Sequence, residues 1–293
     1  MPAAQQITPE LQRWIVEQLS TGQAAEVVLQ AMCGSGWTRD VAGQALESTL
    51  HGHLVAHAQA RGLPPPARVP EPMGADGSLL HAIDARMGSP SACAGGLRVL
   101  ASLLNQRIIV FGGLLSDAEC DDLIELAAAR LARSETVESL TGGSQINDSR
   151  TSDGMFFERE ENLLCSRIEQ RIATLLAWPL ENGEGLQVLR YRTNAEYKPH
   201  YDYFDPLQPG TPAVLERGGQ RVASLVMYLN TPPRGGATVF PEAHFSVLPI
   251  KGHAVFFSYD RPHPMTRTLH GGAPVLDGEK WVATKWLRER RFD

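Results

Sequence analysis

His200-Tyr201-Asp202 lies inside a β-prone run, AEYKPHYDYF. On a strand, residues i and i+2 point to the same face. An imidazole and a carboxylate then stand side by side as two adjacent ligands for a divalent metal. A second histidine from a distant strand completes a two-histidine, one-carboxylate set. Such a set leaves three open positions and suits non-haem Fe(II) that must take up a cosubstrate and O2. Four later histidines can supply it: His244, His253, His263 and His270. Only His270 sits at a strand end before a Gly-Gly turn, where close backbone lets an imidazole enter a crowded site. Ten residues on comes Lys280, in the β-prone run GEKWVATKW. A lysine pointing into a barrel needs an anionic partner, because its burial alone is costly. The five-carbon diacid 2-oxoglutarate provides one, with its keto-acid end on iron and its distal carboxylate on the lysine. Arg190, Arg221 and Lys285 are the alternative anchors for that diacid.

These residues need a frame. From Leu186 onwards short β-prone segments alternate with turns: LQVLRY, AEYKPHYDYF, RVASLVMYLN, ATVF, HFSVL, HAVFFSY, TRTLH and WVATKWL. Eight short strands with turn punctuation suggest a sandwich or jelly roll. Upstream, NQRIIVFGGLLS reads as a strand, while DAECDDLIELAAARLA and ENLLCSRIEQRIATLLAW read as amphipathic helices. A polar, Gly/Ser-rich stretch from about Glu138 to Gly154 reads as a long loop. The first sixty residues read as three short helices, each with one apolar stripe. Leu11, Trp14, Ile15 and Leu19 mark the first, with Thr8 as cap and Pro9 in the first turn. Val27, Val28, Ala31 and Met32 mark the second; Val41, Ala45, Leu46, Thr49 and Leu50 mark the third. The run Met32 to Trp37, followed by Val41, Ala45 and Leu46, resembles ubiquitin-associated three-helix modules, which implies that these helices bind a protein partner; a plain helical cap is the competing reading. Residues 61–77 hold five prolines and three glycines, the composition of an extended connector.

YRTNAEYKPHYDYF, then SLVMYLN, GGATVFPE and LHGGAPVLDGEKWVATKWLRE resemble, in that order, the catalytic domain of the collagen-type prolyl 4-hydroxylases. These are Fe(II)- and 2-oxoglutarate-dependent dioxygenases. The likeness covers roughly residues 97–293 and is of a bacterial-like member with an extra N-terminal helical region. It implies an α+β chain: a double-stranded β-helix (jelly-roll) catalytic domain with flanking helices over 78–293, its β-helix core at about 186–290, preceded by a small helical bundle over 1–60 and a Pro-rich linker over 61–77. It implies His200, Asp202 and His270 as iron ligands and Lys280 as anchor of the 2-oxoglutarate distal carboxylate. Tyr191, Thr238 and Trp286 are expected to contact 2-oxoglutarate. Tyr197, Trp286 and Arg217 are expected to contact the substrate proline or its peptide. Arg217 lies in DPLQPGTPAVLERGGQ, a candidate mobile lid, where a solvated loop arginine is the plainer reading. Tyr203 and Phe204 join the aromatic shell that keeps water out. L-ascorbate is implied as the reductant that keeps iron Fe(II).

Spacing separates this family from its relatives. Nucleic-acid demethylases of the fold carry Arg six residues after the distal histidine, where this chain has Leu276. Hypoxia-sensor prolyl hydroxylases carry Arg nine residues after it, where this chain has Glu279. Halogenases lack the carboxylate ligand, and Asp202 is present. One departure is His253, where the family usually has Asp or Asn.

Composition excludes other classes. The formal charge of the 293 residues is −6, and residues 1–100 carry six Lys/Arg against eight Asp/Glu. No basic half exists to neutralise phosphates, so no nucleic-acid partner is expected. Nothing approaches 18 consecutive apolar residues, so no membrane span is expected. The N-terminal stretch has no basic region followed by an apolar one, and Cys33, Cys93, Cys120 and Cys165 lack CxxC spacing. A reduced, cytoplasmic protein follows. His51, His53 and His57 cluster in HGHLVAH but show no third ligand partner, which favours a solvated helix face. The leading expectation is 4-hydroxylation of prolyl residues in a peptide or protein. The same chemistry on a free amino acid or small metabolite is one alternative. A protein-binding module with a degenerate β-domain is another, against which intact His200, Asp202, His270 and Lys280 argue.

Overall fold

The computed structural model describes residues 5–72, 96–134, 136–137, 141, 143–145 and 149–293. The chain divides into two compact units, Met1–Pro66 and Ala67–Asp293.

The N-terminal unit is three helices, α1 (Pro9–Ser20), α2 (Ala25–Gly34) and α3 (Arg39–Ala60). Thr8 caps α1 by accepting the Leu11 N–H at 3.3 Å, and Pro9 occupies the first turn, where its missing N–H costs nothing. Ile15, Val28, Met32, Ala42, Ala45 and Leu46 form the core, with Leu11, Trp14, Leu19 and Trp37 packed around it. The small Ala42 and Ala45 let the helices approach closely. α3 runs ten residues beyond Leu50, the last apolar position read from its stripe.

In the second unit the elements follow the order β1 (Arg98–Leu103), β2 (Ile108–Gly112), α4 (Asp117–Ala128), β3 (Ala132–Arg133), β4 (Thr136–Val137), β5 (Ser144–Gln145), β6 (Asp153–Phe157), α5 (Leu163–Leu175), β7 (Leu186–Tyr191) and β8 (Tyr197–His200). They continue with α6 (Thr211–Glu216), β9 (Arg221–Tyr228), β10 (Arg234–Gly235), β11 (Thr238–Phe240), β12 (Phe245–Val247), β13 (Ala254–Ser258), β14 (His270–Gly272), β15 (Val275–Asp277) and β16 (Lys280–Arg288). The larger sheet has the order β1-β2-β13-β9-β16-β7-β6-β3; the smaller is β12-β11-β14-β8. This is a jelly-roll core of the double-stranded β-helix type with flanking helices.

The inner strands of the larger sheet, β2, β13, β9, β16 and β7, are buried on both faces, which explains why they read as continuous apolar runs and not as alternating ones. On β2, Ile109 and Phe111 join one core with α4 and α5, while Ile108 and Val110 join the other. On β13, Ala254 and Phe256 face the first core, and Val255 and Phe257 the second. The second core also takes Phe240 and Val247 from the smaller sheet, so it is the interior of the jelly roll. Helices α4 and α5 cover the opposite face. Ser116 and Glu119 make a reciprocal capping box at the start of α4. Arg171 of α5 grips the same Glu119 with two hydrogen bonds of 2.8 Å, tying the helices by a satisfied buried pair.

Three expectations shift. Of AEYKPHYDYF only Tyr197–His200 is strand, so Asp202 lies in the turn beyond it. TRTLH is not a strand ending at His270; β14 begins there and runs through Gly271 and Gly272. Glycine is required at 271, because a Cβ there would sit 2.8 Å from the Tyr197 carbonyl oxygen. Finally, part of 61–77 is not a solvated connector. The Ala67 N–H donates to the Asp260 carbonyl at 2.5 Å, the Arg68 guanidinium lies 5.6 Å over the Trp178 ring, and Val69 is buried in the helix-side core. The boundary read at residue 78, like Cys93, falls outside the described residues.

Burying Val69 contributes about 1.5–3 kcal/mol. A chain beginning at Ala67 is therefore expected to fold and to melt roughly 3–12 °C above one beginning at Ser78, at about 2–4 °C per kcal/mol for this size. Equal melting temperatures for the two truncations would refute the assignment of Ala67–Val69 to the catalytic unit. Among the described residues no helix is long and apolar enough to cross a membrane.

Candidate metal and cosubstrate site

β14 lies between β11 and β8, and its register sets His270 directly opposite His200. The two imidazoles come from positions seventy residues apart, yet their ring centroids are 4.4 Å apart. Asp202 reaches between them: Oδ1 is 3.5 Å from His200 Nε2 and Oδ2 is 3.5 Å from His270 Nε2. Among the described residues this is the one group of three His, Cys, Asp or Glu side chains whose ligand atoms all lie within 4.8 Å of one another.

Backbone carbonyls select the imidazole tautomers. His200 Nδ1 is 2.9 Å from the Lys198 carbonyl oxygen, and His270 Nδ1 is 3.0 Å from that of Thr268. A carbonyl only accepts, so each Nδ1 carries the proton and each Nε2 lone pair is free and aimed at Asp202. Burial pushes His270 down to about 4, outweighing the pull of Asp202. Burial works to raise Asp202, but the facing His270 and His200 and the nearby Arg221 hold it well below the usual carboxylate range. Near neutral pH His270 is therefore a neutral imidazole and Asp202 a carboxylate, the protonation states in which they bind a divalent ion. Phe257 and Phe240 wall His270 at 4.4 and 5.9 Å between centroids, and Tyr197 stacks on His200 at 3.7 Å.

Lys280 opens β16 opposite Tyr191 of β7. It is 4% exposed. Its Nζ lies 5.5 Å from the Tyr191 ring and 5.8 Å from the Tyr228 ring, and among the described residues no carboxylate pairs with it. A Cβ placed on Gly272, two residues after His270, would be 3.9 Å from this Nζ, so the ammonium stands beside the strand that carries the distal histidine. Tyr228 donates to Thr238 Oγ1 at 2.8 Å, which brings the expected Thr238 into the same pocket as Tyr191 and Lys280. The alternative anchors are already engaged. Arg190 binds Asp153, Arg221 binds Glu184, and Lys285 binds Glu169.

Burial alone pushes Lys280 down to about 7. Above that pH the free lysine is neutral, and binding a dicarboxylate must take up a proton. The KM for 2-oxoglutarate is therefore expected to rise as pH climbs from 7 to 9, by as much as about tenfold per unit. A KM that stays flat across this range would show that the lysine is not the anchor. The free protein should also gain stability with rising pH between about 7 and the ordinary value of 10.5, because the unfolded chain binds the extra proton there.

Two expected contacts do not fit. Arg217 does not face the pocket: its guanidinium donates to the Asp293 carbonyl and stacks 4.0 Å from the Phe292 ring. The segment expected as a mobile lid carries α6 and is fastened by Thr211 to the Asp205 carbonyl and by Gln220 to both Phe204 backbone groups. Trp286 lies six residues from Lys280 on the same strand, roughly 20 Å at about 3.3 Å per residue. It cannot share the distal carboxylate with Lys280. Its ring instead lies against the Arg221 guanidinium at 4.0 Å and near Phe156 at 6.4 Å, with the indole N–H buried and unpaired. That N–H is a donor awaiting an acceptor. Among the other histidines, His263 Nδ1 caps a short turn by accepting the Met265 N–H, and His244 holds a positive φ of 49°.

The residue reading missed three groups around this site. Glu184 pairs bidentately with Arg221, at 2.7 and 2.9 Å, and so fixes the guanidinium under Trp286. Ser224 reaches Asp202 from behind, and Tyr259 stands behind Ser224. The signal for Ser224 was a small hydroxyl among the apolar residues of VASLVM.

A family model described as the 2OG-Fe(II) oxygenase superfamily matches residues 186–288. The chain is 37% identical over 241 residues to prolyl 4-hydroxylase 2 of Arabidopsis thaliana, covering 73% of this chain and 78% of that protein. It is 43% identical over 203 residues to prolyl 4-hydroxylase 1 of the same plant, covering 63% and 69%. Among solved structures, the 2OG complex of the viral collagen prolyl hydroxylase from Paramecium Bursaria Chlorella virus-1 superposes with a TM-score of 0.49 at 30% identity, over 62% of this chain and 96% of that one.

Proposed function

The chain belongs to the 2OG-Fe(II) oxygenase superfamily and is prolyl 4-hydroxylase-like, and from that premise we propose that it hydroxylates prolyl residues at the 4-position in a peptide or protein. The reaction converts 2-oxoglutarate to succinate and carbon dioxide. The observation that carries the reading is Lys280: a buried lysine with no carboxylate partner among the described residues, beside two imidazoles and a carboxylate that converge. Keeping such a lysine in a degenerate scaffold would cost stability for no return, which weighs against a binding module.

His200, Asp202 and His270 would hold Fe(II). The donor set fits: neutral nitrogen and one carboxylate, with room for further ligands. When bound, the Fe(II)–2-oxoglutarate pair supplies O2 activation coupled to decarboxylation. The chain's own residues bind and orient. Lys280, Tyr191 and Thr238 hold the distal carboxylate, and the carbonyls of Lys198 and Thr268 keep both Nε2 atoms available. Tyr197, Tyr203 and Phe204 exclude water. The unpaired Trp286 indole N–H and the Tyr197 ring would receive the substrate proline and its peptide carbonyl.

Finer assignments are supported less directly. L-ascorbate as reductant is supported by the likeness to the family. A cytoplasmic setting is supported by Cys33, Cys120 and Cys165, which are free thiols. A protein-recruiting role for α1–α3 is supported by Val27 and Leu54, which are exposed on that unit.

The test is a mass-spectrometric search for peptides that gain one oxygen only when enzyme, Fe(II) and 2-oxoglutarate are all present. A +16 Da product on proline supports the reading. A product found only on free amino acids or small metabolites would replace the polypeptide substrate with a small one.

A further inference from the structure

Behind Asp202 stands a buried pair of hydroxyls. Ser224 is fully buried on β9, set between Phe257 of β13 and Trp286 of β16 by the sheet register. Its Oγ is 2.6 Å from Asp202 Oδ2 and 3.0 Å from the Tyr259 hydroxyl. Tyr259 is 1% exposed and is itself fixed by its N–H to the Val222 carbonyl at 2.9 Å. An ionised carboxylate only accepts. Ser224 therefore spends its single proton on Oδ2 and must accept from Tyr259, so the chain has one direction: Tyr259 to Ser224 to Asp202. A hydroxyl at this strand position would be costly without partners; here it has two, and one of them is a metal-site carboxylate.

Asp202 needs such a restraint. Its two oxygens are placed alike, each 3.5 Å from one imidazole Nε2. Nothing in that arrangement prefers one oxygen over the other as ligand, and a carboxylate with both free can chelate. Two imidazoles and a chelating carboxylate would fill four of six positions. The keto-acid end of 2-oxoglutarate would take the last two and leave none for O2. A hydrogen bond to Oδ2 alone breaks the symmetry.

We propose that Ser224, oriented by Tyr259, is a positioning residue that holds Asp202 to coordination through one oxygen, Oδ1, and so keeps the third open position at the metal. The inference rests on the reading of His200, Asp202 and His270 as Fe(II) ligands.

The readout is the visible charge-transfer band of the Fe(II)–2-oxoglutarate chelate, titrated without O2, together with Fe(II) affinity from competition with a chromophoric chelator. Ser224→Ala is expected to form the band at a 2-oxoglutarate concentration close to that of the wild type, because two positions remain for the keto acid, but the band should decay about tenfold more slowly on mixing with O2, within the range typical for loss of a partner behind a metal ligand. Its Fe(II) affinity should be unchanged or tighter, because the released carboxylate chelates. Ser224→Thr keeps the hydroxyl and should restore the wild-type decay. Tyr259→Phe should move in the same direction as Ser224→Ala but less. A purely structural serine would lower the melting temperature and weaken metal and 2-oxoglutarate together, which overturns the proposal. So do a Ser224→Ala decay and Fe(II) affinity identical to wild type. If Ser224→Ala does not fold, Tyr259→Phe decides: a wild-type decay there overturns the relay. A wild-type protein that binds Fe(II) but forms no band with 2-oxoglutarate would instead overturn the cosubstrate reading, and this inference with it.

Discussion

His270→Ala is expected to lose turnover by more than about a hundredfold and to lose most Fe(II) binding. Removing a partner behind a metal ligand already costs about 10–100-fold, and His270 offers its Nε2 to the ion directly. The imidazole is buried between Phe257 and Phe240, so no solvent-exposed side chain can swing in to replace it. His200→Ala should behave alike. Asp202→Ala removes the charge but leaves two aimed imidazoles, so weak metal binding should survive without hydroxylation. The measurements are Fe(II) titration and single-turnover oxidation of 2-oxoglutarate. Among the described residues no other such group of His, Cys, Asp or Glu exists, so wild-type activity in His270→Ala would overturn the metal assignment and send the search to His263 or His253.

Lys280→Ala should raise the KM for 2-oxoglutarate by roughly 10²–10³ and leave Fe(II) affinity almost unchanged. In the proposed complex the lysine and the distal carboxylate would form a pair screened from water by Tyr191, Tyr228 and Thr238. Removing one partner of such a pair costs about 3–5 kcal/mol, and each 1.4 kcal/mol is about tenfold. Lys280→Arg should recover only part. The charge is kept, but the planar fork is longer than the ammonium it replaces, and the Gly236 and Gly272 backbones stand close to the lysine chain. Arg190, Arg221 and Lys285 offer no rescue, because each is held by its own carboxylate. An unchanged KM in Lys280→Ala would reassign the anchor and, with it, the spacing that separates this chain from its hypoxia-sensor relatives.

Three groups of residues show how far the sequence reaches. The first is His200, Asp202 and Lys280, legible because their types are rare in apolar β-prone runs and are expensive to bury without a purpose. The inner strands around them were legible too, as continuous apolar runs, since both of their faces are covered. The second group was read with the right chemistry in the wrong place. Arg217 is a loop cation whose partner, the Asp293 carbonyl, lies 76 residues away. Trp286 has the aromatic character of a pocket residue, but its distance from Lys280 follows only from the extended path of β16. The connector over 61–77 has the composition of a spacer, yet its proline-flanked Val69 finds a core to enter. The third group, Ser224 and Tyr259, carried almost no signal, because a serine in a strand is ordinary until its neighbour is known.

By itself, then, the sequence determined the inventory: two imidazoles, a carboxylate, a lysine ten residues past the second histidine, and strands enough for a jelly roll. Periodicity and residue type record which side chains must leave water and which must be compensated when they do. They do not record which distant strand lies alongside. That was decided by the tertiary structure, through the register that sets His270 against His200, the packing that leaves Lys280 without a carboxylate among the described residues while its rivals are paired, and the antiparallel pairing of β9 with β13 that puts two hydroxyls behind Asp202. The physical reason is that burial is a property of one residue, whereas a site is a set of distances. Those distances appear only when the backbone hydrogen bonds of strands far apart in the chain are closed.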